Sequence, residues 1–241
     1  AVLFGLAATA LPTVRSGAPG GAPPTPVPAA ASRPGLRDAL DGLRFVRRQP
    51  VLLGAISLDL FAVLFGGALA LLPAVAEDRL GVGAVGFGWL RAANGIGAAA
   101  VTGVLAFRPL YRHVGRTLLA AVALFGAATI VLGVTTNYAV AFAAIIVASG
   151  ADALSVFVRT TLVPLVTPAN MRGRVLSVEN VFIGASNELG AFESGVVGQL
   201  LGPALAIGLG GVATLVVAAT WWVVFPALRK VDRFPARAQA P

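Results

Sequence analysis

Ser186-Asn187-Glu188-Leu189-Gly190-Ala191-Phe192-Glu193-Ser194-Gly195 lies inside an otherwise apolar run over residues 175–201. That run is long enough to cross a bilayer core, which takes about 20 helical residues at about 1.5 Å rise each. A carboxylate facing lipid near the middle of a span costs on the order of a few kcal/mol. Glu188 and Glu193 must therefore point at other helices or at a wet cavity. Small residues recur every fourth position, at Ser186, Gly190, Ser194, Gly198 and Gly202. They form a flat face, with Gly190, Ser194 and Gly198 at its centre, on which a second helix can pack closely.

The rest of the composition agrees with a membrane setting. Of 241 residues 57% are hydrophobic and 12% charged, with a mean hydropathy of +0.87. A soluble domain carries roughly twice that charge. The fold class expected is an all-α membrane protein, because a β-barrel would be written in alternating segments of about ten residues. The absence of cysteine excludes disulfides, Cys-zinc sites and thiol chemistry, and His113 alone cannot build a histidine metal cluster. A net charge of +8 would suggest nucleic acid in a soluble chain. Here the arginines gather between apolar runs, so membrane topology accounts for them and no nucleic-acid partner is expected.

Outward from the quoted stretch, six spans are predicted: residues 51–75, 85–107, 117–134, 138–166, 175–201 and 205–228. Residues 1–14 are apolar but too short to cross, about 21 Å as a helix, and read as the end of a truncated transmembrane helix. Residues 15–35 form a Pro/Gly-rich linker outside the hydrocarbon. Residues 36–49 are predicted as an amphipathic helix, with Leu36, Leu40, Leu43 and Val46 on one side and Arg37, Arg44, Arg47 and Arg48 mostly elsewhere. Such a helix lies on an anionic leaflet or packs under the bundle, and the sequence leaves both open. The six-helix domain occupies 50–229, and 230–241 form a C-terminal tail.

Orientation follows from the arginines. Arg15, Arg33, Arg37, Arg44, Arg47, Arg48, Arg108, Arg112, Arg116, Arg172, Arg174, Arg229, Lys230, Arg233 and Arg237 all fall on one side, fifteen of the 18 cationic residues. The other side holds only Arg79, while Arg91 and Arg159 lie within spans. The linker and the C-terminus are therefore expected on the cytoplasmic face of a multi-pass inner-membrane protein.

Inside the spans stand Asp59, Arg91, Asp152, Arg159, Glu188 and Glu193, with Asn94, Asn180, Asn187 and Gln199 as polar companions. Helix rise places Asp59 and Arg159 at matching depth, about 12 Å from the cytoplasmic ends of their spans. Arg91 and Glu193 match at about 12–13 Å from the outer ends. Two ion pairs, Asp59 with Arg159 and Arg91 with Glu193, are thus geometrically possible and could be merely structural. Asp152 and Arg159, seven apart, share a helical face. Those four acids outnumber the two arginines, and Glu188 and Asp152, nearest mid-membrane, are expected to remain unpaired. Unpaired intramembrane carboxylates serve proton relays and cation sites. Gly95, Ala99 and Gly103 repeat at four-residue spacing and are expected to serve packing. No zinc-protease motif, nucleophile elbow or phosphate loop occurs, so an intramembrane enzyme is disfavoured and no cofactor or metal is implied.

Three stretches carry a resemblance. Asp59-Leu60-Phe61-Ala62-Val63-Leu64-Phe65-Gly66-Gly67-Ala68, followed by Ala70-Leu71-Leu72-Pro73, is similar to the seventh helix of the major facilitator superfamily. Thr167-Pro168-Ala169-Asn170-Met171-Arg172-Gly173-Arg174-Val175 is similar to its loop between helices ten and eleven, and 186–195 to its eleventh helix. From about 36 to 233 the chain resembles the C-terminal half of that fold, in the enterobactin-exporter-like branch of drug/proton antiporters. The superfamily's cytoplasmic signature ends in Asp-Arg-x-Gly-Arg. Here the matching residues are Arg112, Gly115 and Arg116, with Tyr111 where the acid would stand. Ala191 also occupies a position where relatives often carry an acid.

The resemblance implies an alternating-access carrier whose two six-helix halves rock about a midplane cavity. Its expected partners are a small hydrophobic substrate, protons, the lipid bilayer and a missing N-terminal six-helix half. Asp59, Asp152, Arg159, Asn187 and Glu188 would line the pathway from this side. The alternative is a non-transporting membrane scaffold whose buried charges are structural.

Overall fold

The computed structural model describes residues 36–235. The truncated span expected over 1–14, the linker over 15–35 and the last residues of the tail lie outside the described residues. What is described is helical throughout, without a strand. We label the helices α1 (Leu36–Arg48), α2 (Pro50–Phe65), α3 (Ala84–Phe107), α4 (Val114–Val134), α5 (Tyr138–Val166), α6 (Arg172–Leu201), α7 (Pro203–Val224) and α8 (Pro226–Arg229).

Local chemistry sets the boundaries. Pro50 and Pro203 open α2 and α7, where a missing N–H costs nothing. Asn137 caps α5, its Oδ1 accepting from the amides of Ala139 at 2.9 Å and Val140 at 3.2 Å. At the end of α4 the Arg79 guanidinium donates to the carbonyls of Gly133 at 2.7 Å and Val134 at 2.6 Å. It satisfies two acceptors that a helix C-terminus otherwise leaves without partners. Gly202, at φ +87°, makes the turn between α6 and α7.

Four helices, α3, α4, α5 and α7, are long and apolar enough to cross a membrane, and a fifth crossing arises if α1 and α2 count as one bent span. The six continuous spans expected from sequence are reduced for two reasons. The span predicted over 51–75 is not continuous. It is helical to Phe65, breaks at Gly66 and Gly67, and resumes as a 3₁₀ turn (Ala68–Leu71), an α turn (Leu72–Ala74) and a π turn (Val75–Arg79). The break occurs where neighbours crowd the backbone. A Cβ on Gly67 would stand 2.6 Å from Ser194 Oγ, and one on Gly66 would collide with the Phe125 ring. The helix α6 has 30 residues, ample to cross, but its acids and arginines dilute its hydropathy.

Packing runs in an arc. The helix α3 lies on α5, α5 on α4, α4 on α7, α7 on α2, and α2 on α6. The two ends of the arc, α3 and α6, face each other across a cleft rather than packing together. Small residues bring helices close. A Cβ on Gly133 would stand 2.5 Å from the Gly208 amide nitrogen, and one on Gly190 would stand 2.8 Å from the Val63 carbonyl. The stripe Ser186, Gly190, Ser194 and Gly198 is buried against α2 and its continuation, as the sequence spacing predicts. The corresponding expectation for α3 fails. Gly95 and Gly103 face open space, and Gly97 makes the close approach, against the Ile146 carbonyl beside Gly150.

Apolar clusters fill both ends of the bundle. Leu58, Val114, Leu118, Val158, Leu162 and Leu228 form one, and Leu72, Val75, Leu90, Leu132 and Ile145 the other. A third, of Val46, Leu52, Ile56, Val163 and Val175, seats α1 beneath α2 and α6. A Cβ on Gly42 would stand 2.8 Å from the Arg174 carbonyl, so α1 lies flat against the start of α6.

Candidate functional site

The deepest polar group is built around Arg159 of α5. Its Nη1 lies 2.7 Å from Asp59 Oδ2 of α2 and 3.6 Å from Glu179 Oε1 of α6. All three side chains are almost completely buried. One guanidinium thus holds two carboxylates and joins three helices. The Asp59–Arg159 pairing anticipated from depth is present. Glu179 was not among the expected residues. A signal for it exists, since it stands seven residues before Ser186 and so shares the buried face of α6 with Ser186, Gly190, Ser194 and Gly198.

The second expected pair, Arg91 with Glu193, does not form. Matching depth brings residues to one level of the membrane but not to one side of the bundle, and α3 and α6 sit at opposite ends of the arc. Arg91 is exposed with its guanidinium 5.9 Å from the Phe87 ring centre, and Glu193 is half-buried beside Ser194.

Between α3 and α6 opens a cavity of about 220 Å³. Its walls are mostly apolar, from Val63, Phe125, Leu132 and Ile145, with Gly66 and Gly67 at the break in α2. Its polar groups are Asn94 of α3, Ser149 and Asp152 of α5, Thr129 of α4 and Asn187 of α6. The Ser149 hydroxyl donates to Asn94 Oδ1 and ties α5 to α3. The Asn187 amide donates to the Ile183 carbonyl at 2.8 Å. A smaller void touches both Asp59 and Asp152, so the buried ion cluster lies one layer behind the cavity wall. Asp152 has no cation within ion-pair distance among the described residues, and neither has Glu188. Glu188, Arg91 and Glu193 do not line this cavity. Of the expected pathway residues, Asn94, Asp152 and Asn187 are therefore brought together, Asp59 and Arg159 stand behind them, and the other three lie apart.

The loop between α3 and α4 is held from elsewhere in the chain. The backbone N–H of His113, at φ 58°, donates to Asp232 Oδ1 at 3.1 Å, and Asp232 Oδ2 lies 3.6 Å from Arg112 Nε. The Gly115 amide donates to the Val231 carbonyl at 2.9 Å. A Cβ at Gly115 would collide with the Leu228 carbonyl, so only glycine admits this approach. Tyr111, where the superfamily's acid would stand, is exposed. Asp232 instead brings a carboxylate to the loop from the C-terminal segment. The His113 N–H, with the Arg112 charge beside it, holds the Asp232 carboxyl below the usual carboxylate range. Arg116 remains exposed.

The long apolar helices are those of a chain that crosses a membrane. No curated protein and no solved structure matches the chain. A family model does, over residues 23–240, nearly the whole sequence. On that match the chain belongs to the transmembrane secretion effector family, a group of major-facilitator-type transporters, and is a multi-pass membrane protein.

Proposed function

We propose that the chain forms one six-helix half of a proton-coupled secondary transporter. It exports a small hydrophobic molecule, a drug or a siderophore, across the cell membrane by alternating access. The observation that carries this reading is the cleft between α3 and α6, where Asp152, Asn94 and Asn187 meet an apolar wall. Apolar walls with a few convergent polar groups suit a largely hydrophobic solute. The second half, not within these residues, closes the cleft from the other side. The linker and the C-terminus face the cytoplasm, as the arginine distribution argues.

Asp152 is the carboxylate that takes up and releases the proton, because it borders the cavity with no cation within ion-pair distance. Glu188 is the second candidate. Asp59, Arg159 and Glu179 stay paired behind the wall and fix α2, α5 and α6 around it. Protonation of Asp152 removes a charge from the cavity, which favours occupation by an apolar solute. Nothing in this reading calls for catalysis, a metal or a cofactor.

The test is proton-coupled flux in proteoliposomes carrying the full-length protein, with Asp152→Asn and Glu188→Gln. Loss of coupled transport with normal insertion and folding supports the reading. Wild-type flux in both variants removes these carboxylates from the pathway. A second reading, a non-transporting scaffold, is favoured by the Arg159 cluster, whose charges already join three helices. It predicts that the intact protein moves no solute. Liposomes holding these 241 residues alone should transport nothing, since the proposed pathway needs a second six-helix half.

A further inference from the structure

The face of α1 turned away from the bundle carries charge that the transport reading does not use. One side of this helix is fixed, with Val46 fully buried and the Gly42 backbone against Arg174. On the opposite side Leu40, Leu43, Arg44, Arg47 and Arg48 line a groove of about 350 Å³. Their spacing follows the period of three and four that makes one stripe of a helix. The three arginines are exposed, and Leu40 is 51% exposed beside them. Asp41 contacts Arg44 at 3.7 Å, leaving Arg47 and Arg48 without an acidic partner among the described residues.

The bend between α1 and α2 is 109°. On the proposed reading α2 crosses the bilayer, which lays α1 roughly along the membrane surface. An exposed leucine beside three guanidinium groups suits a ligand that is anionic at one end and apolar at the other. We propose that this groove binds the headgroup of an anionic phospholipid, Arg47 and Arg48 taking the phosphate and Leu40 and Leu43 lying against the first acyl carbons. Arginine forks match phosphate geometry, and basic clusters at helix–membrane junctions attract anionic lipids. A bound lipid would brace the elbow between α1 and α2, directly before the broken helix that forms part of the cavity wall.

Native mass spectrometry of the full-length protein, titrated with phosphatidylglycerol or phosphatidylcholine, tests this. The wild type should retain one phosphatidylglycerol that Arg44→Gln/Arg47→Gln/Arg48→Gln loses. Affinity should fall roughly fivefold per arginine removed, about a hundredfold for the three. Arg47→Lys/Arg48→Lys should retain the lipid, whereas Leu40→Gln should weaken it. Neutralising Arg112 and Arg116 should leave it in place. Equal retention of phosphatidylglycerol by the wild type and the triple glutamine variant would overturn the proposal. So would displacement of the bound lipid by inorganic phosphate, which would mark a simple anion site.

Discussion

Arg159 holds two carboxylates on one guanidinium, and the two are not equivalent. Asp59 sits at charge-assisted hydrogen-bond distance, 2.7 Å, while Glu179 stands 3.6 Å away. Removing the shared cation strands two buried acids, and breaking a buried pair from one side costs on the order of 3–5 kcal/mol. Arg159→Met is therefore expected to lower the unfolding midpoint in detergent most, Asp59→Asn less and Glu179→Gln least. A Glu179→Gln effect as large as that of Arg159→Met would mean the cluster is held mainly through α6. At this scale the sequence is partly legible. Depth along two helices is enough to join Asp59 to Arg159, because both lie on faces that turn inward. The same argument misplaces Arg91 and Glu193, since rise per residue fixes height and says nothing of the neighbour opposite. Glu179 stands near the end of its span, where a charge reads as a boundary residue. Only its register with Ser186 and Gly190 reveals the buried face.

At the scale of elements, close approach between backbones decides which glycines matter. On α3, Gly97 is pressed against α5 while Gly95, two positions away, faces open space. Gly97→Leu should destabilise the protein by roughly 1–3 kcal/mol or more through overpacking, and Gly95→Leu should stay near wild type. Comparable melting of the two variants would contradict the packing described. The sequence shows a three-member run at Gly95, Ala99 and Gly103 but only Ala93 and Gly97 on the packed face, so periodicity points to the wrong side. On α6 the long run Ser186, Gly190, Ser194 and Gly198 identifies the buried side. The C-terminal segment makes a second element-scale case, for no local pattern tells that Asp232 reaches back to residues 112–115. Its carboxyl titrates below its ordinary value, so the tie is complete above the usual carboxylate range and is lost as pH falls through the lowered value. Asp232→Asn should raise amide exchange at His113, Val114 and Gly115 at neutral pH, with little further change on acidification. The wild type should show the same rise only when acidified. Unchanged exchange in the variant would show that the backbone bonds from Val231 and Asp232 hold the loop without the carboxylate.

For the whole molecule, the helices form an arc with its ends apart, and the polar groups of the cleft come from both ends and the middle. Composition and the arginine asymmetry make the membrane class plain, because the hydrocarbon core leaves few alternatives for so apolar a chain. Among the described residues the loop cations other than Arg79 lie at the end of the bundle where residues 51, 110, 166 and 231 meet around one apolar cluster. What the sequence conceals is the break in α2. Gly66 and Gly67 read as ordinary residues of an apolar span until Phe125 and Ser194 are found against them. That break opens the wall of the cavity between α3 and α6, so the candidate site depends on tertiary contacts that no local pattern encodes. On the proposed reading this cavity is a water-accessible pathway rather than a packing defect. The chain has no cysteine, so single cysteines report without background. Asn187→Cys and Asn94→Cys in the full-length protein should react with a membrane-impermeant thiol reagent in vesicles, at rates that change when substrate is added. Val216→Cys, on the exposed face of α7, should stay unreactive in lipid. Cavity cysteines as inert as the one at 216, with or without substrate, would contradict the account.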